Sequence, residues 1–179
     1  MGTAQTTILA AGQPVGFAGL VTLELMAKAA ANKDALNIQA GLGVKPGSKV
    51  SEALLPTASS SVLFGIVAQV QAFAPGTFGE IDQGAQPGFI PNTMMNVLET
   101  GRIFVIVDGD AAVTPNVTRL YWRFESDGAS NARVGTFRNT DDGHVVDTRK
   151  QVIAVGPIFT AADGSTKICE VRIDTTILA

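Results

Sequence analysis

The sequence predicts an all-β fold: a small β-barrel or β-sandwich with an extended N-terminal arm and a long Pro/Gly-rich loop. Three observations carry that prediction. Ile103 to Val107 is five apolar residues in a row, four of them β-branched, and β-branched side chains suit a pleated surface better than a helix. In the stretch that follows, Leu120, Trp122 and Phe124 alternate with Arg119, Tyr121 and Arg123, so a strand would place the two sets on opposite faces. Short apolar runs then recur at a spacing of roughly 10 residues with turn residues between them, the pattern of a sandwich or barrel.

Taken in order, residues 1 to 23 carry no charged side chain and are rich in Thr, Ala and Gly, with Pro14 and Phe17 among them. Such a segment cannot build a core alone, so residues 1–35 read as an N-terminal arm. Within it Leu20, Leu23 and Ala27 follow helical spacing, Glu24 and Lys28 form an i,i+4 pair, and Ala27 to Ala31 favours a helix. Val21, Leu23 and Leu25 would equally suit a strand; the expectation is a short helix. Residues 36–179 read as one β-domain. Gly41, Gly43 and Pro46-Gly47 frame Leu42-Gly43-Val44, and Val62 to Val70 is a strand with Phe64, Ile66, Ala68 and Val70 on one face. Phe73 to Pro91 holds three Pro, four Gly and three Phe in nineteen residues, which reads as a long functional or unstructured loop. Phe78 and Phe89 imply that this loop lies against something.

Asp108-Gly109-Asp110 and Thr114-Pro115-Asn116 supply turn chemistry between the two central strands. Arg133 to Arg138 reads as a strand, and Asn139 to Gly143 as a polar turn. Val152 to Phe159 is interrupted by Gly156-Pro157, the mark of an edge or a bulge. Asp163-Gly164 turns into Lys167 to Ile173, where Cys169, Val171 and Ile173 share a face.

The totals narrow the function. At 179 residues the chain has the length of one domain with a substantial core. It is 46% hydrophobic but only 16% charged, which fits a β-protein with much of its surface against other protein. A soluble protein with neutral polar loops would give the same totals. The net charge is −3, and the four basic residues before position 101 and nine after it are accompanied by six and ten acidic ones. No basic patch follows, so nucleic acid is not expected as a partner. With Cys169 as the sole cysteine no intrachain disulfide can form, in keeping with synthesis in a reducing compartment. No secretory signal opens the chain. The uncharged stretch 53 to 79 is interrupted by Pro56, Ser59, Gln69 and Pro75, short of the roughly 20 apolar residues of a membrane helix, and no membrane is expected.

Candidate chemistry dissolves on inspection. His144 stands beside Asp141 and Asp142 in a strongly turn-forming string, and a single His leaves a transition-metal site short of ligands. Asp108-Gly109-Asp110 lacks the further carboxylates of a calcium loop. Ser59-Ser60-Ser61 has no nucleophile-elbow context, and no phosphate-loop or dinucleotide glycine pattern occurs. No catalytic residue, cofactor or metal is therefore expected, and the chain reads as no enzyme.

The order of segments resembles the tailed-phage head decoration proteins, or structural cement proteins. The resemblance is carried by Ile38-Gln39-Ala40-Gly41-Leu42-Gly43-Val44, Leu63 to Val67, Asn96-Val97-Leu98-Glu99-Thr100-Gly101-Arg102-Ile103-Phe104-Val105, Val113 to Val117, Leu120-Tyr121-Trp122, Val134 to Phe137 and Val171 to Ile173. Its most recognisable piece is Gly101-Arg102-Ile103-Phe104-Val105. It implies a barrel-like protein on the outer surface of the capsid, made in the host cytoplasm, that clamps neighbouring major capsid subunits. The other readings are a carbohydrate- or cell-surface-binding β-module and, least favoured, a small hydrolase. The capsid or subunit interface is expected at Pro14, Phe17, Leu20, Phe78, Phe89, Ile103 and Val105. The partners expected are the major capsid protein and further copies of the chain, a trimer favoured over a dimer, because the doubly apolar strand would leave more apolar surface than a monomer exposes.

Overall fold

A computed structural model describes residues 18–69, 88–109, 112–126, 133–148, 151–161 and 166–176. Ten strands and no helix lie among them. The all-β expectation holds. The helix expected within Leu20 to Leu36 does not: Val21–Asn32 is a twelve-residue strand, β1. It pairs antiparallel along most of its length with Met94–Ile106, the thirteen-residue strand β5. That ladder satisfies the backbone groups a helix would have satisfied internally, and this tertiary pairing overrides the helix propensity of Ala27 to Ala31.

Between these two lie Gly43–Pro46 (β2), Glu52–Leu54 (β3) and Gly65–Ala68 (β4). They are followed by Tyr121–Arg123 (β6), Phe137–Arg138 (β7), Val145–Asp147 (β8), Val152–Thr160 (β9) and Lys167–Asp174 (β10). The large sheet runs β1-β3-β2-β4-β5-β10-β9, and β1 also pairs β5. The pairings β1-β3-β2-β4-β5-β1 therefore form a ring, barrel-like but closed by strands of only three or four residues. Full closure removes free edges, which is how small antiparallel proteins protect unpaired backbone. β5 makes this possible by its length. One of its edges faces β1; the other is shared end to end, with Asn96 to Leu98 on β4 and Thr100 to Ile106 on β10.

The small sheet, β7-β6-β8, is stitched to the large one by the bridges Val107↔Phe137 and Arg119↔Ile153. Its Trp122 and Phe137 are fully buried against Ile66, Leu98, Ile103, Val105, Val171 and Ile173. A second cluster, including Ile38, Val44, Ala53, Met95 and Val97, fills the other end of the ring. The bulge read at Gly156-Pro157 is present as a register shift of β9 against β10, between Cys169 and Val171. Gly101 has φ +149°, and a Cβ there would collide with the carbonyl oxygen of Leu23. Glycine is therefore required where β1 crosses β5.

Candidate functional site

The densest chemistry lies where the small sheet meets the large one. Strand alternation puts Arg123 on the exposed face; in the structure its side chain is completely buried. It donates from Nε to Asp108, from a terminal nitrogen to Asp142 Oδ2 at 2.6 Å, and from the other to the Glu125 carbonyl at 3.1 Å. Arg138 also bonds Asp142, and its Nε lies 3.8 Å from Asp108 Oδ1. Thr136 Oγ1 stands 3.2 Å from Asp108 Oδ2.

Electrostatics sorts the two carboxylates. Burial pushes Asp108 above its ordinary value, opposed without being cancelled by Arg123 and Arg138. Burial also pulls Asp142 upward, but the Arg123 hydrogen bond and the His144 amide together hold it below its ordinary value. Arg123 and Arg138 each engage both Asp108 and Asp142. The cluster pins the ends of β5 and β6 to the 139–144 turn.

The same turn accounts for His144. Gly143 N–H donates to Asp141 Oδ1 at 2.9 Å and His144 N–H to Asp142 Oδ1 at 3.0 Å, the side-chain-to-backbone bonds that make Asp a turn former. The imidazole Nδ1 lies 3.3 Å from Glu125 at the surface. Among the described residues no three His, Cys, Asp or Glu side chains converge in a way that could hold a metal ion. Cys169 is buried with its Sγ 3.3 Å from the Gly156 carbonyl. Burial pushes its thiol up to about 12.

Of the seven expected interface residues, Pro14, Phe17 and Phe78 lie outside the described residues. Leu20 is half-buried against Phe104, Ala161 and Ile168, and its carbonyl accepts the Phe104 N–H at 3.0 Å. Phe89 bridges Ile38, packs on the second core cluster, and is held through its carbonyl by Asn32 Nδ2 at 2.7 Å. Ile103 and Val105 both have zero exposure, because β4, β9, β10 and the small sheet cover their face of β5. A doubly apolar strand found its partners within its own chain.

Sequence periodicity missed one stretch of exposed apolar surface. It lies on β1, where Leu23 is 44% exposed, Leu25 67% and Met26 37%. Register shifts against β5 between Val21 and Leu23, Glu24 and Met26, and Met26 and Ala27 rotate these side chains outward. β1 pairs β3 only at Ala31 and Asn32, leaving most of its second edge unpaired by any described strand. Beside it, Arg102 of β5 and Arg172 of β10 are exposed and directly opposite one another. The only Trp, Trp122, is fully buried and unavailable to stack on a sugar.

A family model described as structural cement protein (E217 gp24/Pam3 gp6) matches residues 4–174. The solved N base of the head fiber gp8.5 of bacteriophage phi29 is similar over 86% of this chain and 99% of its own, at 13% identity and a TM-score of 0.44. No curated protein matches the chain.

Proposed function

The chain belongs to the phage structural cement proteins, and from that membership we propose that it binds the outer surface of the assembled head and stabilises contacts between major capsid subunits without catalysis. The observation that carries this reading is the extent of the family match, which spans nearly the whole chain. Membership itself makes it a structural protein of the virion head. The physical rationale is linkage: a protein that binds only the assembled lattice shifts the equilibrium toward assembly by its own binding free energy. That requires contact area rather than an active site, and apolar surface left on an otherwise well-packed sheet, as at Leu23, Leu25 and Met26, supports it.

Two finer features belong to the proposal. The uncharged residues 1 to 20 and the loop 73 to 91, with Pro14, Phe17, Leu20, Phe78 and Phe89, supply much of the capsid contact. The free protein is a homo-oligomer, a trimer favoured over a dimer; light scattering at micromolar concentration decides this.

The test is co-sedimentation with undecorated heads and, separately, with unassembled major capsid subunits. The full chain is expected to bind the heads, not the subunits, and to raise the temperature at which the heads rupture. Removing residues 1–16 should leave the melting temperature of the free protein unchanged and weaken decoration at least about tenfold, the equivalent of 1.4 kcal/mol. Equal binding to free subunits, or decoration without any gain in head stability, would refute the cement reading.

A further inference from the structure

The exposed face of the large sheet carries one continuous row across four strands: Leu23 opposite Arg102, Arg102 opposite Arg172, Arg172 opposite Ile153. Residues directly opposed on antiparallel strands hold their Cβ atoms about 4.5–5.5 Å apart, and like charges in that relation destabilise a sheet. Arg102 and Arg172 are in that relation and both are exposed.

Among the described residues neither guanidinium forms an ion pair. The carboxylates two positions along β10 on either side of Arg172 accept their hydrogen bonds from threonines and not from either arginine. Glu170 accepts from the Thr22 hydroxyl at 2.6 Å, and Asp174 from the Thr176 hydroxyl at 2.6 Å and amide at 3.1 Å. Glu24, one ladder step away opposite Gly101, forms no ion pair with them either. Arg119, which bridges to Ile153, is already paired with Asp147 at 3.2 Å.

Two exposed cations that form no ion pair among the described residues thus stand side by side, where sheet physics disfavours them, in a chain of net charge −3. A second copy meeting this face with the two-fold axis at the pair would oppose arginine to arginine. A nucleic-acid backbone needs a longer basic stripe than two residues. We propose that the row docks an Asp or Glu carboxylate presented by a subunit of the head lattice, its oxygens taken by the two guanidinium groups, with Leu23 and Ile153 covering its apolar surroundings. Paired guanidinium donors suit a carboxylate because its two oxygens accept parallel N–H bonds. The proposal rests on the cement reading and names the chemistry of its partner.

The test uses the full chain, undecorated heads and the variants Arg102→Glu and Arg172→Gln. Both remove the like-charge opposition, so the free variants are expected to melt no lower than the parent. Decoration by Arg102→Glu is expected to weaken at least tenfold at low salt, with a shallower salt dependence than the parent shows. Unchanged decoration by both variants, with the parent still binding, would overturn this inference and leave the cement reading standing. A parent that binds no heads would remove both. Binding lost together with melting temperature in both variants would assign the arginines to the fold and also overturn it.

Discussion

Replacing Arg123 by Met tests whether the ion cluster is a structural lock. Arg123 is fully buried and bonds Asp108, Asp142 and the Glu125 carbonyl. Methionine approximates its volume but leaves Asp108, itself buried, with Arg138 Nε at 3.8 Å and Thr136 at 3.2 Å. Removing one partner of a buried pair strands a charge and costs about 3–5 kcal/mol. For a chain of this length each kcal/mol moves the melting temperature by about 2–4 °C, so a fall of about 6–20 °C is expected by calorimetry.

The pH dependence gives the sign. In the parent, Asp142 is held below its ordinary value of 3.8, so its stabilisation is present above that value and is lost as pH falls through the folded pKa. In the variant Asp108, already raised by burial, loses its main counter-charge and rises further. Its folded form then binds a proton before the unfolded form does, so the variant gains stability as pH falls toward that raised pKa. The deficit relative to the parent should therefore shrink between pH 7 and pH 4, and a second change, Asp108→Asn, should recover part of it at pH 7. A deficit below about 1 kcal/mol, within the range of an ordinary surface ion pair, or one that does not change with pH, would refute the reasoning.

Ile103→Ala separates a core role from a contact role. With zero exposure the residue should cost about 2–5 kcal/mol in denaturant unfolding, while head decoration, measured where the variant is still folded, stays within twofold of the parent; a selective loss of decoration would return Ile103 to the interface. The Cys169 thiol, buried and pushed up to about 12 from 9.0, should resist a thiol-exchange reagent at pH 8 until denaturant is added. Because its folded pKa is raised, that contribution to stability is complete below 9.0 and is lost as pH rises toward about 12. Rapid stoichiometric reaction of the native protein would show the thiol to be accessible.

Elements with strong, self-contained signals were legible in the sequence. β5, β9 and β10 are apolar runs long enough to declare themselves, and the inward face of Cys169, Val171 and Ile173 follows from alternation alone. β1 was not legible, because three register shifts break the period of two and Ala27 to Ala31 has the composition of a helix. β3 and β8 were missed because each is three residues with no longer alternation around it, whereas the equally short β6 sits inside the alternating run Arg119 to Phe124. Arg123 failed for a different reason. Alternation places it outside, and the partners that draw it inside, Asp108 and Asp142, stand 15 and 19 residues away in turns that local chemistry already explains. The exposed apolar part of β1 likewise depends on bulges that sequence periodicity does not reveal.

Gly101-Arg102-Ile103-Phe104-Val105, the piece of sequence that carried most of the resemblance, is largely a folding motif. Gly101 is demanded by its positive φ and by the Leu23 carbonyl that passes over it. Ile103 and Val105 fill the main core, and Phe104 packs with Ala161 and Ile168 on the outer face. Four of the five positions are thus accounted for by making β5 and closing β1 onto it. Arg102 is the exposed residue of the five, forms no ion pair among the described residues, and stands directly opposite Arg172, a like-charge relation that disfavours a sheet. A residue that a fold tolerates at a cost, within a segment it otherwise dictates, is where a requirement from outside the chain becomes visible. That is why a contact with the head lattice is sought at Arg102 before any of its buried neighbours.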